Sequence, residues 1–144
     1  MTDVEKAYLA GIIDGEGTIT LTRRRKNQTP SPQISVSNTH LELLEYIQHV
    51  TNCGRIQAKK KSQSHHQQSW HWQTHSVSAS LYILEEIRPF LRVKKQQADL
   101  IIKHYKAVTP RNGRYSPKLL ERKNWLVETV QNLNRGKSTS PITR

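Results

Sequence analysis

Leu9-Ala10-Gly11-Ile12-Ile13-Asp14-Gly15-Glu16-Gly17 is an apolar run seeded with small residues, and it ends in two acids that are each followed by glycine. Upstream, Thr2-Asp3-Val4-Glu5 has the spacing of a capping box, with Thr2 as N-cap and Glu5 three residues later. Val4, Tyr8, Ile12 and Leu9, Ile13 recur at helical spacing, which predicts one helix from residue 3 to about 14. Gly11 and Gly15 are four apart and share a face of it. Each glycine costs roughly 1 kcal/mol of helix stability relative to alanine. The compensating gain is close backbone approach to a second helix. Gly17 suits a sharp exit, so Glu16 is expected at the end of a tightly packed helix, pointing away from its core.

Composition bounds what surrounds this helix. A chain of 144 residues is one domain's worth, read here as a single domain over 1–134 and a flexible basic tail over 135–144. Apolar content is 34%, below the usual ~45–50%, so the core is modest and dimerisation would help bury it. The 23 Lys+Arg outweigh 11 Asp+Glu to give a net charge of +12, which implies a polyanionic partner. Nucleic acid comes first and an anionic membrane surface second. No apolar run approaches the ~18 residues of a membrane span, and the N-terminus lacks a leader pattern. The expectation is an intracellular, soluble protein of the cytoplasm or an organelle, with no targeting peptide evident. Cys53 is alone, which excludes an internal disulfide or a thiolate zinc site.

Past Gly17, the run Thr18-Ile19-Thr20-Leu21-Thr22-Arg23 alternates strictly and is β-branched, and a basic run Arg24-Arg25-Lys26 with Asn27 and Gln28 follows. Alternation puts Ile19 and Leu21 on one face and Thr18, Thr20, Thr22 and Arg24 on the other. Thr29-Pro30-Ser31-Pro32 reads as a turn, and Gln33-Ile34-Ser35-Val36-Ser37 as the returning strand with Gln33, Ser35 and Ser37 on the polar face. Thr39 caps an expected helix from about His40 to Val50, and Asn52-Cys53-Gly54 ends it. The hairpin pattern then repeats. Arg55-Ile56-Gln57-Ala58-Lys59 turns Arg55, Gln57 and Lys59 outward, a polar loop covers 60–69, and residues 70–77 return as a fourth strand.

Trp70 and Trp72 share one face of that strand, with His71, Gln73 and His75 on the other. Stacking platforms serve single strands, so the tryptophans are assigned to the core. His71 and His75 would be a metal pair only on a helix; on a strand they lie ~13 Å apart, and a zinc site is discounted. A third helix opens at Ser78 or Ser80 and stops at Pro89, a fourth runs 93–108, and a last one 118–133 carries Leu119, Leu120, Trp125, Leu126 and Val130 as its apolar stripe. Four strands in one antiparallel sheet, covered by helices on one side, leave a polar face of threonines, glutamines, serines and guanidiniums. Guanidinium and amide groups make bidentate contacts to base edges in the major groove, and a two-stranded ribbon fits that groove. An eight-residue strand spans ~26 Å, which at ~3.4 Å per step is about eight base pairs per protomer.

The nine-residue stretch at Leu9–Gly17 resembles the signature of the LAGLIDADG homing endonucleases, from which it differs by Ile for Leu, Gly for Ala and Glu for Asp. The resemblance implies an α+β fold of order α-β-β-α-β-β-α, with a four-stranded antiparallel, saddle-shaped sheet facing DNA and helices on its other face. It implies that two signature helices cross at a twofold axis along a seam of Tyr8, Ala10, Gly11, Asp14 and Gly15. Since the motif occurs once, the second helix would come from a second copy of the chain, as in the single-motif, group I intron-encoded members. Glu16, with the backbone at Gly15, would hold divalent metal at the scissile phosphates; Mg2+ is the expected ion, with Mn2+ or Ca2+ able to substitute for binding. The passage Arg88-Pro89-Phe90-Leu91-Arg92-Val93-Lys94-Lys95 resembles the family's loop-to-helix segment and puts Lys94 where a lysine borders the cleavage centre. Asn38 falls where a glutamine often orders the attacking water. Glu42 stands where relatives carry a basic residue, a departure in the solvent network. The similarity covers about residues 3–106.

The reading is therefore a homodimeric, metal-dependent, site-specific endonuclease making a double-strand break in a long DNA target. Catalytic roles fall to Glu16, Lys94 and Asn38. DNA contacts fall to Thr20, Thr22, Arg24, Lys26, Gln28, Gln33, Ser35, Ser37, Arg55, Gln57, Lys59, His71 and Gln73. Lys94 could instead be a plain phosphate contact, and Asn38 a cap ahead of the following helix. Asp14 reads as structural on its own geometry, lying ~200° from Glu16 around the helix axis. The alternatives are a non-catalytic binder on the same scaffold, either an intron-RNA splicing cofactor or a DNA-binding regulator, and a ribosomal-type basic protein.

Overall fold

The structure, a computed structural model, describes residues 1–60, 63 and 67–136. Helix α1 (Asp3–Glu16) leads directly into strand β1 (Gly17–Thr22); β2 (Ser31–Asn38), α2 (Leu41–Thr51), β3 (Arg55–Ala58), β4 (Trp70–Gln73), α3 (Val77–Ile87), α4 (Lys95–His104) and α5 (Pro117–Asn134) follow. Short 3-10 turns at Arg88–Phe90 and Lys106–Val108 join the later helices. The four strands form one antiparallel sheet in the order β1-β2-β4-β3. This is the expected α+β architecture, extended by further helices. The segment expected to be a tail lies outside the described residues from 137 onward.

Alternation decides which side of the sheet is buried. Ile19, Leu21, Ile34, Val36 and Trp72 face the helices and are almost fully buried, together with Leu9, Ala10 and Ile13 of α1 and Ile83, Leu84 and Ile87 of α3. The capping box forms as read: Glu5 N donates to Thr2 Oγ1 at 3.1 Å and Thr2 N to Glu5 Oε1 at 2.8 Å. Trp72 is a core residue whose Nε1 donates to the Cys53 carbonyl at 3.0 Å. Gly54, at φ +91°, lies so close that a Cβ there would sit 2.1 Å from that nitrogen. The turn after α2 and the tryptophan therefore specify one another.

Several boundaries move for local reasons. The fourth strand stops at Gln73 rather than residue 77, because Thr74 turns its side chain to accept from Ile34 N at 3.0 Å while its own N donates to Ile34 O. Ser76, not Ser78 or Ser80, caps α3, accepting from Ala79 N. Thr39 caps nothing; Asn38 Oδ1 takes the His40 amide at 2.8 Å instead. In α5 the buried stripe passes through Lys123, Leu126 and Val130, and leaves Leu120 and Trp125 exposed. Ala10, expected on the seam between two copies, is fully buried in its own core. One residue is ~100° of rotation, which carries Ala10 away from the exposed Gly11.

The two ends of the signature stretch make opposite predictions. A Cβ on Gly17 would lie 2.9 Å from Ile13 Cα and 3.1 Å from Ser35 O, both backbone, whereas one on Gly11 would meet nothing within 4 Å. Gly17→Ala should therefore lose about 1–3 kcal/mol in urea unfolding. Gly11→Ala, measured on dilute monomer, should gain up to ~1 kcal/mol.

Candidate active site and nucleic-acid interface

The last turn of α1 collects the candidate catalytic groups. Glu16 is the exposed final residue of the helix. The register Gly17↔Val36 brings the end of β2 alongside it. Asn38 there donates from Nδ2 to Glu16 Oε2 at 2.6 Å, while its Oδ1 holds the His40 amide. One amide side chain thus orients the carboxylate and starts α2.

Asp14 does a different job two residues earlier. Its carboxylate accepts from three successive backbone amides, Arg92 at 2.8 Å, Val93 at 3.1 Å and Lys94 at 2.9 Å. Lys94 is the N-cap of α4 and the other two amides lead into it, so the carboxylate sits at the helix entrance, where a negative charge is favoured. In return Lys94 Nζ donates to the Asp14 carbonyl at 2.7 Å, at the negative end of α1. The ammonium is thereby held within two residues of Glu16 along the helix. Asp14 was expected on the seam between copies; its carboxylate is instead committed to its own chain. Glu42 is exposed on α2.

The polar face of the sheet carries Thr20, Thr22, Gln33, Ser35, Ser37, His71 and Gln73, all partly exposed, with Arg55, Gln57 and Lys59 fully exposed at the β3 edge. Lys26 and Gln28 are exposed in the β1–β2 connection. Three of these groups are linked across strands: Ser37 Oγ lies 2.8 Å from His71 Nδ1, and His71 Nε2 lies 2.9 Å from Gln73 Oε1. Both ring nitrogens of His71 are thus engaged, one by a neighbour on β2 and one by a neighbour on its own strand.

Arg24 is the exception. Alternation put it on this face, but its guanidinium folds back to donate to Ser31 Oγ (3.1 Å), the Thr74 carbonyl (3.1 Å) and the Pro32 carbonyl. Burial lowers its pKa. Strand alternation holds only while the chain stays in the ladder, which ends at Thr22, so Arg24 serves the sheet's end and not a base edge.

The opposite side of α1 is bare. Gly11 and Gly15 are exposed with nothing within 4 Å of a would-be Cβ. Val4 and Tyr8, on the same strip, are 80% and 54% exposed, Tyr8 resting edge-on against Tyr46.

A four-stranded antiparallel sheet with a polar face, entered from a glycine-bearing helix that ends in an exposed acid, defines the class of the LAGLIDADG nucleases. The sequence pattern of the LAGLIDADG endonucleases matches residues 9–95, more than half the chain, and the protein belongs to that family. No curated protein sequence matches it. Among solved structures, the homing endonuclease I-CvuI in complex with its target is 22% identical, with 97% of this chain and 88% of that chain covered and a TM-score of 0.75. The archaeal intron-encoded homing endonuclease I-Vdi141I complexed with DNA is 19% identical, with coverage of 96% and 89% and a TM-score of 0.73. The LAGLIDADG meganuclease I-AabMI bound to uncleaved DNA is 17% identical, and the match covers 84% of this chain but 43% of that one, at a TM-score of 0.61. At such identities the likeness is one of fold.

Removing the Asp14 carboxylate should release the 91–94 turn. Asp14→Ala is expected to cost roughly 0.5–2 kcal/mol and to speed hydrogen exchange at the Arg92, Val93 and Lys94 amides. Unchanged protection there would show that the cap is dispensable.

Proposed function

We propose that this protein is a site-specific DNA endonuclease that acts as a homodimer and hydrolyses phosphodiester bonds with divalent metal, Mg2+ by preference. The observation that carries the reading is the Glu16–Asn38 pair, with Lys94 tied to the Asp14 carbonyl, at the end of a helix whose Gly11/Gly15 strip is left bare.

The donor chemistry suits a hard cation shared between chains. Glu16 offers exposed carboxylate oxygen at the helix end, and such ions take oxygen ligands. Among the described residues no group of three His, Cys, Asp or Glu side chains is placed to hold a metal. In the proposed dimer, the partner's carboxylate, the Gly15 backbone and DNA phosphates would complete the shell. Bound there, a divalent ion would neutralise phosphate charge and lower the pKa of an attacking water. Lys94 would stabilise the negative charge that develops on the phosphate. Asn38 orients the Glu16 carboxylate: at the positions where the resemblance sets an aspartate and a glutamine, this chain has the longer acid and the shorter amide. Val4, Tyr8, Gly11 and Gly15 would form the contact between copies, and Gln33, Ser37, Arg55, Gln57, His71 and Gln73 would read base edges.

Two experiments test this. In a supercoiled-plasmid assay on DNA carrying a selected target, Glu16→Gln should abolish cleavage with binding retained; cleavage by that variant at the wild-type rate would sink the proposal. Binding without cutting by the wild type would leave only a nucleic-acid-binding role, on DNA or intron RNA. In sedimentation, Gly11→Leu should shift the protein from dimer to monomer.

The acid–amide pair makes a separate prediction. Glu16→Asp and Asn38→Gln should each lower kcat, and the double substitution should recover more than the product of the single effects allows. Strict additivity would mean that their hydrogen bond has no part in the reaction.

A further inference from the structure

At the end of the sheet remote from Glu16, a cleft of about 420 Å³ opens between the β1–β2 connection, the start of α3 and the segment before α5. Arg24, Thr29, Tyr105, Thr109 and Tyr115 are among its walls, and none of its lining residues is Asp or Glu. Directly behind them lies Lys123, 1% exposed. Its Nζ donates to Thr109 Oγ1 and to Tyr115 Oη, both at 2.9 Å, and lies 3.4 Å from Thr29 Oγ1. It also stands 4.7 Å and 5.4 Å from the ring centroids of Tyr105 and Tyr115.

Every one of those partners is a neutral oxygen or a ring. Among the described residues no carboxylate pairs with Lys123 or with Arg24; the ion pairs there are Lys6–Glu86 and Arg88–Asp99. A buried ammonium without a counter-charge is costly unless something supplies one. Arg24 adds a second cation in the same wall. Of its five N–H groups, three are engaged by Ser31, Thr74 and Pro32, and the others remain for a ligand. Thr109, Tyr115 and Thr29, which surround the ammonium, also line the cleft with their hydroxyls, the last two hydrogen-bonded to each other at 3.0 Å. Two cations and a ring of hydroxyls without an acid match a compact oxyanion with many acceptor oxygens.

We propose that this cleft is a phosphate-binding site, held by Arg24 and the hydroxyls of Thr29, Thr109 and Tyr115 and biased by the buried charge of Lys123. The phosphate is either free in solution or part of a DNA backbone. The cleft adjoins the outer end of the β1–β2 hairpin, where Arg23, Arg25 and Lys26 are exposed, and Arg111 and Arg114 are exposed nearby. A duplex followed along the sheet away from Glu16 would bring a phosphate there; that source alone rests on the function proposed above.

The test pairs wild type with Lys123→Met, a near-isosteric change, and with the double variant Thr109→Val/Tyr115→Phe, which decides the matter should the first fail to fold. Thermal unfolding is followed against inorganic phosphate, with chloride at matched ionic strength as control. In parallel, DNA affinity is measured against salt concentration. A saturable rise in wild-type Tm with phosphate that the variants lose, at an unchanged salt slope, identifies a free-phosphate site. A salt slope shallower by about one in the variants identifies a DNA phosphate, with or without the Tm response. Equal phosphate stabilisation of wild type and variants, or none in either, together with an unchanged slope overturns the proposal. If the wild type binds no DNA, the nuclease reading fails while the phosphate arm still decides the cleft.

Discussion

The Asp14 carboxylate is the contact on which the rest of the candidate centre depends. It joins the last turn of the first helix to the entrance of a helix about eighty residues later in sequence. The pieces so joined are the two that carry the acid and the lysine. Three amides accept no compromise partner here, because a single carboxylate satisfies all of them at once. The Lys94–Asp14 carbonyl bond closes the loop from the other side. Glu16 is exposed and Lys94 only partly buried. Their relative position comes from this polar weld and from the tight passage at Gly17, where backbone meets backbone.

Much of this was readable from residue order. The capping box, the glycine spacing of the first helix, the alternation of the hairpins and the inward tryptophan follow from local chemistry, and local chemistry is what a sequence states. Asn38 illustrates a reading with two open answers, cap or catalytic group; its two polar ends are engaged separately, one with His40 and the other with Glu16. What was not readable depended on contacts across the chain. Arg24 follows the strand's parity on paper, but carbonyls from Pro32 and Thr74 draw it back once the ladder ends. Asp14 gave no sign of its partners because they are backbone amides, which every residue has. Lys123 is hidden by its type: a lysine at a core-facing position reads as a surface residue until hydroxyls from two other segments are found around it. Ala10 was grouped with Gly11 by size, where rotation about the helix separates them.

The two faces of the first helix divide its labour. Leu9, Ala10 and Ile13 anchor it in its own core, so that Gly11 and Gly15 can stay bare without loosening the fold. A surface kept free of side chains is stabilised from behind. The sheet shows the same division, with one set of alternate residues packed under the helices and the other left polar.

The Ser37–His71–Gln73 chain has a consequence for how such a protein could change its target. Each of these groups has its orientation set by its neighbour on the adjoining strand or two positions along, so replacing one alters what the other two present. On the function proposed above, retargeting this part of the surface would call for exchanging the trio as a block.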